Sequence, residues 1–233
     1  YNRCILQYMS NLAIIPARGG SKRIPKKNIK DFLGKPIIAY SIEVAIKSRL
    51  FDEVMVSTDD NEIVSIANYY GAITPFLRSA DTSNDTAILS EVIDEVKESY
   101  SRLGKKFDNI CCILPTAALT TVVLLDKGLK LLNNNDVDSV RPIIRFSYPI
   151  QRSLRLESNG NVSFFYPEFQ GSRSQDLEPA FHDSGMFYWM KYNSGLKGSK
   201  KLGFEIPELS CQDIDTEEDW KLAELKYKLA FQL

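Results

Sequence analysis

The chain has 233 residues, enough for one sizeable domain, and its 44% hydrophobic and 25% charged residues are the balance of an ordinary globular protein. The net charge of −1 excludes a surface that is cationic throughout and binds nucleic acid by charge alone. No run approaches the roughly 18 apolar residues of a membrane span, and the first residues lack the apolar core of a signal peptide. We expect a natural start near Met9, which makes the residues before it an added segment.

Predicted strands and helices alternate along most of the chain. Strands are predicted at residues 12–16, 52–58, a short stretch around Ile73, 107–114 and 138–146, and the apolar runs at 12–16 and 107–114 are typical of buried strands. Amphipathic runs with helical spacing occupy residues 36–48, 59–71, 85–103 and 120–132. This alternation predicts an α/β fold with a doubly wound, mostly parallel sheet.

Polar residues mark the starts of three predicted helices. Asp59 and Asp60 stand between a strand and a helix, which indicates helix capping. Asp85 lies near the start of its predicted helix, where a carboxylate suits the free amides. Thr216 and Asp219 have capping-box spacing and begin the last predicted helix.

The pattern changes over residues 147–192. Asn159-Gly160 stands between two alternating runs, which is a strong hairpin signal. We predict a small β-rich insertion over 147–192, inside a single domain that extends over 11–233. Its aromatic residues are expected to line a ligand pocket or to cover a subunit contact; they are Phe164, Phe165, Tyr166 and Phe169.

The four cysteines lack the spacing of metal ligands. Cys111 and Cys112 are adjacent within an apolar strand pattern, and Cys4 and Cys211 lie far from them in the sequence. We predict buried free thiols in a reducing compartment, which makes the expected location cytoplasmic. A disulfide or a zinc site is the alternative.

Positive charge is concentrated in the loop after the first strand. Between Ala17 and Lys35 there are seven Lys or Arg residues and one acid, a local charge of +6. Gly19 and Gly20 allow backbone amides to approach a ligand, and Ser21 adds a hydroxyl donor. Ligands of open α/β sheets bind beyond the carboxyl ends of the strands, so this loop suits a polyphosphate. Neither GxxxxGK[ST] nor GxGxxG occurs, and a solvated basic turn is the alternative.

A pair of acids precedes the last helix. Asp213 and Asp215 are two residues apart in a segment that reads as extended, so both carboxylates face one side. Two acids together with substrate phosphates are the usual ligands of Mg²⁺. The alternative role of Asp215 is to cap the last helix. Combined with the cationic loop, the pair favours a metal-dependent enzyme that acts on a nucleoside triphosphate.

The loop at 14–28, IIPARGGSKRIPKKN, resembles that of the CMP-sugar synthetases, cytidylyltransferases that activate 3-deoxy-2-keto sugar acids. The segments at 34–43, 51–60, 71–78 and 213–220 follow in that family's order, so the resemblance covers Leu12 to Leu225. The segment at 173–189 is similar to that of the pseudaminic acid cytidylyltransferases, with His-Asp-small-Gly where sialic acid enzymes have Asn-Gly.

The resemblance implies a Rossmann-like nucleotidyltransferase that joins CTP and a nine-carbon sugar acid, expected to be pseudaminic acid, and releases pyrophosphate. It also implies Mg²⁺ as cofactor and a homodimer formed through the insertion. Nucleic acid and membrane are not expected as partners, because the positive charge is confined to one loop and no apolar run is long enough for a span. The implied catalytic residues are Arg18, Lys27 and Asp215, and the metal ligands are Asp213 and Asp215. The implied nucleotide contacts are Ala17, Arg18, Gly19, Ser21, Lys22, Lys27, Asn28, Arg78, Asp85 and Thr86. The implied sugar contacts are Thr116, Arg173, Gln175, His182 and Asp183.

One departure from the sialic acid enzymes and several alternatives remain. Those enzymes commonly have Gln-Pro-Thr-Ser-Pro after the middle strand, whereas Leu114 stands here in place of the glutamine. His182, the single histidine, is expected in the substrate pocket rather than as a general base. CMP-N-acetylneuraminate or CMP-legionaminate synthesis is the second hypothesis, and CMP-Kdo synthesis the third. The non-enzyme hypothesis is a catalytically silent nucleotide-binding regulator.

Overall fold

The computed structural model describes residues 9–232, and a seven-stranded sheet forms the centre of this part of the chain. The strands are β1 (Asn11–Pro16), β2 (Asp31–Phe32), β3 (Lys35–Pro36), β4 (Glu53–Ser57), β5 (Asn109–Ile113), β6 (Ser139–Arg145), β7 (Leu154–Leu156), β8 (Val162–Phe164), β9 (Phe181–Asp183), β10 (Phe187–Lys191) and β11 (Lys201–Glu205). The helices are α1 (Ile37–Ser48), α2 (Asn61–Tyr69), α3 (Ala80–Ser83), α4 (Leu89–Arg102), α5 (Val122–Asn134) and α6 (Glu217–Phe231).

The sheet is mixed. Its strands run in the order β11-β6-β10-β5-β1-β4, and β9 also pairs with β6. β1 is parallel to β4 and β5, and β6 is parallel to β11. β10 lies antiparallel between β5 and β6. The predicted α/β fold is confirmed, with antiparallel strands at the centre as well as parallel ones.

Helices cover both faces of the sheet. Ala13 and Ile15 of β1 pack with apolar residues of α1, α2 and α5 on one face. Leu12 and Ile14 pack with Ile93 of α4 on the other face. Because successive strand residues point to opposite faces, a strand covered on both sides needs an apolar side chain at every position. This is why residues 12–16 read as an unbroken apolar run.

Aromatic packing holds α6 against β2. The ring centroids of Phe32 in β2 and Trp220 in α6 are 5.6 Å apart in an edge-on arrangement. Tyr40 of α1 packs on the same Phe32 ring at 5.3 Å. The loop that precedes Phe32 and the acids that precede Trp220 are therefore held near each other.

Two local predictions are confirmed and one is wrong. Thr216 and Asp219 form the predicted capping box of α6, and Asn159-Gly160 lies in the turn between the antiparallel strands β7 and β8. Asp85 does not start its helix, because α4 begins at Leu89 and the Glu91 carboxylate accepts from Ile88 N at 3.0 Å. The cap that Asp85 was predicted to provide is thus supplied by Glu91.

The predicted insertion 147–192 divides between two sheets. β7 and β8 form a separate two-stranded sheet, whereas β9 and β10 pair with the main sheet. β10 joins the centre because its residues Phe187, Trp189 and Met190 are fully buried there. The role of the insertion in substrate and subunit contacts stays a prediction.

Cys111, Cys112 and Cys211 are buried and free, as predicted, and Cys4 lies outside the described residues. Burial raises the pKa of the Cys112 thiol to about 12, so it stays protonated and unreactive at neutral pH. None of the helices formed within residues 9–232 is long and apolar enough to cross a membrane.

Candidate active site

A cleft of about 590 Å³ opens beyond the carboxyl ends of β1 and β5. Its walls come from the loop after β1, from residues between 78 and 92, from residues 114–116 after β5, and from Asp213. Nine of the predicted site residues line it: Arg18, Ser21, Lys22, Lys27, Asn28, Arg78, Asp85, Thr116 and Asp213.

The loop after β1 is closed on itself and tied to β4. Ala17 N donates to Ser57 O at 2.9 Å, and the Ala17 side chain is buried in the core. Asn28 is also buried, and its Nδ2 donates to Arg18 O at 3.0 Å. Gly19 N donates to Asp59 Oδ1 at 3.0 Å. Ala17 and Gly19, both predicted nucleotide contacts, therefore shape the loop without lining the cleft.

The seven cations of the loop fall into two groups. Four of them line the cleft: Arg18, Lys22, Arg23 and Lys27. The other three form ion pairs with glutamates away from it: Lys26 with Glu62, Lys30 with Glu217, and Lys35 with Glu43. All seven therefore have acidic partners, but only the four at the cleft, which pair with Asp85 and Asp215, are placed to attract a polyanion bound there.

The loop meets the acid pair. Lys27 Nζ donates to Ile214 O at 2.6 Å and lies 3.7 Å from Asp215 Oδ1. Arg23 NH1 lies 2.8 Å from Asp215 Oδ2. Because Asp213 lines the same cleft, the two features that the sequence places far apart lie at one site. Asp215 is adjacent to the cleft but does not line it.

Asp213 has the electrostatic character of a cation ligand. The surrounding protein partly desolvates its exposed carboxylate, and this, followed by the charge of Asp215, raises the pKa of Asp213. Lys27 opposes the shift. A carboxylate whose charge is disfavoured in this way is stabilised by a bound cation. Asp215 is already partly neutralised by Arg23 and Lys27.

In the part of the chain that the structure describes, no three His, Cys, Asp or Glu side chains form a group that could hold a metal ion. A divalent cation at Asp213 and Asp215 would therefore need further oxygen ligands from a substrate or from water. Mg²⁺ commonly binds through one or two carboxylates together with phosphates and water, and Asp213, which lines the cleft, fits that mode.

Arg78 is the buried cation of the cleft. Its guanidinium donates to Ser57 Oγ at 3.0 Å and to Ser57 O at 2.5 Å. The backbone N–H of Arg78 donates to Thr58 O at 2.8 Å. Burial lowers the pKa of Arg78, while the charges of Asp59 and Glu95 oppose that shift. Arginine remains protonated even so, which gives the cleft a rigidly held positive donor.

Asp85 pairs with two of the loop cations. Its Oδ1 lies 2.7 Å from Arg18 NH1, and its Oδ2 pairs with Lys22. The hydrogen bonds from Lys22 and then from Arg18 lower the pKa of Asp85. Asn84 shapes this turn, since its Oδ1 accepts from Thr86 N at 2.8 Å. Thr86, a predicted nucleotide contact, does not line the cleft.

Residues 114–116 form the wall opposite the loop. Thr116 is buried and lines the cleft as predicted for a sugar contact. Leu114, which gives this wall an apolar side chain, also lines it. Ser41 Oγ of α1 donates to Leu114 O at 2.8 Å, which anchors this wall to the helix.

The other predicted sugar contacts lie outside the cleft lining. Arg173 and Gln175 are exposed between β8 and β9. His182 Nδ1 lies 2.9 Å from Asp183 O, and its ring packs on Phe146 with centroids 4.8 Å apart. A role for these residues in sugar binding stays a prediction.

The part of the cleft wall formed by α3, α4 and the turn between them was not predicted from the sequence. Thr82, Asn84, Leu89 and Val92 line the cleft there. Glu95 of α4 holds this wall, because its carboxylate accepts from Ser79 N at 2.7 Å and from the Thr82 hydroxyl. The polar Ser-Asn-Asp-Thr run at 83–86 is a turn signal that could have indicated it.

The cytidylyltransferase family model matches residues 12–159. This chain is 41% identical over 227 residues to a pseudaminic acid cytidylyltransferase of Campylobacter jejuni. The aligned residues cover 95% of this chain and 97% of that protein. It is 30% identical over 230 residues to the CMP-N,N'-diacetyllegionaminic acid synthase of Legionella pneumophila, at 93% and 95% coverage. The chain belongs to the cytidylyltransferase family.

The fold is similar to that of a solved CMP:2-keto-3-deoxy-manno-octonic acid synthetase in complex with CTP. The two share a TM-score of 0.67 and 18% sequence identity, over 96% of this chain and 100% of that one. At this identity the likeness concerns the fold alone, and it agrees with the cytidylyltransferase family.

Proposed function

We propose that this protein joins CTP and pseudaminic acid to give CMP-pseudaminic acid and pyrophosphate. The observation that carries the proposal is the meeting of the cationic loop, Arg78 and Asp213 in one cleft. The 41% identity to a pseudaminic acid cytidylyltransferase supports the choice of sugar acid. Because the identity to a CMP-N,N'-diacetyllegionaminic acid synthase is lower, at 30%, synthesis of the related CMP-sugars is the second hypothesis.

In this reaction the anomeric hydroxyl oxygen of the sugar acid forms a bond to the α-phosphorus of CTP. The bond from the α-phosphorus to the oxygen bridging to the β-phosphorus breaks, and pyrophosphate leaves with the electron pair. The hydroxyl proton is lost to the medium. Transfers of this kind depend mainly on positioning and on neutralising charge.

The cleft cations supply both requirements. Arg18, Lys22 and Arg23 attract the triphosphate into the cleft. Lys27 donates to the carbonyl of Ile214, the residue between the two acids, and we assign it to the α-phosphate, where charge changes most during transfer. Arg78 serves the nucleoside end of CTP from its fixed place against β4.

Mg²⁺ is the proposed cofactor. Asp213 and Asp215 would hold it, and the raised pKa of Asp213 supports this because a cation would relieve the penalty on its charged form. When bound, Mg²⁺ would neutralise charge on the phosphate oxygens. The binding of Arg23 and Lys27 to Asp215 keeps that carboxylate oriented beside the loop.

We further propose a homodimer formed through the insertion. Contiguous exposed apolar side chains on a protein surface mark interaction sites. The hairpin region exposes Leu154 and Leu156 of β7 and Val162, which pairs with Leu156 in β8; Tyr148 and Phe165, near them in the sequence, are also exposed. A second copy of the chain would cover this surface.

The proposed location is the cytoplasm. The reaction consumes CTP, a nucleotide of the cell interior, and Cys111, Cys112 and Cys211 are free thiols that suit a reducing compartment.

Pyrophosphate release tests the proposal. The purified protein is given CTP and Mg²⁺ with pseudaminic, legionaminic or N-acetylneuraminic acid in separate reactions, and UTP replaces CTP as a control. The expected result is turnover that is fastest with pseudaminic acid. Faster turnover with another acid would favour the second hypothesis, and tight CTP binding without any turnover would favour the silent regulator.

A further inference from the structure

We propose that Asp183 is a positioning residue that holds the carboxylate of Asp213 in the cleft wall through the turn at Gly185. The inference rests on the proposed function, in which Asp213 binds the cation of the nucleotide complex. It replaces the role in sugar binding that the resemblance implied for Asp183.

Both carboxylate oxygens of Asp183 bind groups of the protein itself. Oδ1 accepts from Gly185 N at 3.0 Å and from the Tyr188 hydroxyl at 3.1 Å. Oδ2 lies 2.9 Å from Arg141 NH1. The Arg141 guanidinium also lies 4.9 Å from the centre of the Tyr188 ring. Arg141, Asp183 and Tyr188 therefore act as one unit that fixes the turn between β9 and β10.

The turn lies directly against Asp213. Gly185 has a φ of +64°, a conformation that favours glycine. A Cβ placed on Gly185 would lie 3.4 Å from Asp213 Cγ and 3.5 Å from Asp213 Oδ1. The Asp213 carboxylate therefore lies beside this turn, with room between them for little more than one methyl group, and a shift of the turn would change its surroundings.

The same turn supports the opposite wall. Met186, next to Gly185, is 1% exposed, and its carbonyl accepts from Leu114 N at 2.9 Å. Leu114 lines the cleft together with Thr116. Asp183 therefore helps to set the separation between the acid side and the 114–116 side of the site.

The geometry disfavours a direct sugar contact. Asp183 does not line the cleft. A carboxylate has about four acceptor positions, and three of them are used by Gly185, Tyr188 and Arg141. The remaining acceptor capacity is too small for the repeated hydroxyl contacts of a sugar subsite.

The test compares Asp183→Ala, Asp183→Asn and a matched control, Glu205→Gln. Glu205 of β11 forms an ion pair at 3.2 Å with Arg145, which lies on β6 as Arg141 does. This ion pair does not involve Asp183 or Gly185. The first readout is Mn²⁺ affinity with CTP present, from the free-ion signal in electron paramagnetic resonance. The second is the KM for the sugar acid and kcat from pyrophosphate release.

We expect Asp183→Ala to weaken Mn²⁺ binding by about 10-fold or more and to lower kcat, as loss of outer partners of a metal ligand does. The KM for the sugar acid should stay within about twofold, since no contact with it is removed. The Mn²⁺ affinity of Asp183→Asn should lie between those of the wild type and Asp183→Ala. Its amide oxygen still accepts from Gly185 N and the Tyr188 hydroxyl, but the ion pair with Arg141 is lost. Glu205→Gln should match the wild type.

Unchanged Mn²⁺ affinity with a raised KM for the sugar acid would overturn the inference alone. A wild-type protein that binds no Mn²⁺ with CTP would overturn the proposed metal site and the inference together. If Asp183→Ala does not fold by circular dichroism, Tyr188→Phe carries the test, because it removes one donor to Asp183 and keeps the ring. Weaker Mn²⁺ binding by about threefold supports the inference, and wild-type affinity overturns it.

Discussion

Lys27 Nζ donates to the backbone carbonyl of Ile214 at 2.6 Å across a separation of 187 residues. This bond fixes the loop after the first strand to the segment before the last helix. Groups that are already in place need no reorganisation during a reaction, and this is the main source of electrostatic stabilisation in enzymes.

Lys27→Ala should lower kcat by about 10² or more if the ammonium neutralises charge at the α-phosphate. Lys26→Ala is the matched control, because Lys26 is its neighbour but pairs with Glu62 away from the cleft. Pyrophosphate release measures both. Equal losses in the two variants would reduce Lys27 to one of several charges that attract phosphate.

Gly19→Ala should weaken CTP binding, whereas Gly20→Ala should not. A Cβ on Gly19 would lie 2.5 Å from Asp60 Oδ2, but one on Gly20 meets nothing within 4 Å. Asp60 cannot easily move, because it caps α2 by accepting from Glu62 N at 2.7 Å. We expect about a 10-fold loss of affinity by calorimetry for Gly19→Ala, the order of one lost or misplaced charged hydrogen bond. Equal affinity in the two variants contradicts a tightly fitted loop.

The raised pKa of Asp213 predicts how stability changes with pH. The folded protein holds this proton more tightly than the unfolded chain, whose pKa is near the ordinary 3.8. The contribution of Asp213 to the free energy of unfolding therefore falls as pH rises from about 3.8 through the folded pKa. Asp213→Asn should gain stability relative to wild type over that range. Urea unfolding from acid to neutral pH, without divalent cations, measures the difference; parallel curves would contradict it.

Leu156→Asp should convert the proposed dimer to a monomer. Leu156 is 74% exposed on β7, and a buried unpaired carboxylate in an apolar interface is strongly unfavourable. Val123→Asp is the control, since Val123 is equally exposed at 74% but lies on α5. Analytical ultracentrifugation reads the outcome. A wild-type monomer, or a Leu156→Asp dimer as stable as the wild type, would argue against the hairpin as the interface.

Features with a local cause could be predicted from the sequence. The capping box of Thr216 and Asp219 and the turn at Asn159-Gly160 depend on residues a few positions apart, and both formed as predicted. The strand at 12–16 was readable because burial on both faces requires unbroken apolar character.

Features that depend on distant partners could not be predicted. Charge counting treated Lys26 and Lys27 alike, but only the fold shows that one meets Glu62 and the other Ile214. Asp85 read as a helix cap because its pairing with Arg18, 67 residues away, leaves no local signal. The antiparallel place of β10 in the sheet was equally hidden, since periodicity does not name a strand's neighbours.

Binding of one triphosphate by both the early cationic loop and the late acid pair can be seen in a crystal structure with CTP and Mg²⁺. We expect phosphate oxygens about 3 Å from Lys27 Nζ and a cation about 2.1 Å from a carboxylate oxygen of Asp213. A triphosphate bound elsewhere, with no phosphate oxygen near Lys27 Nζ and no cation at Asp213, would overturn the shared site.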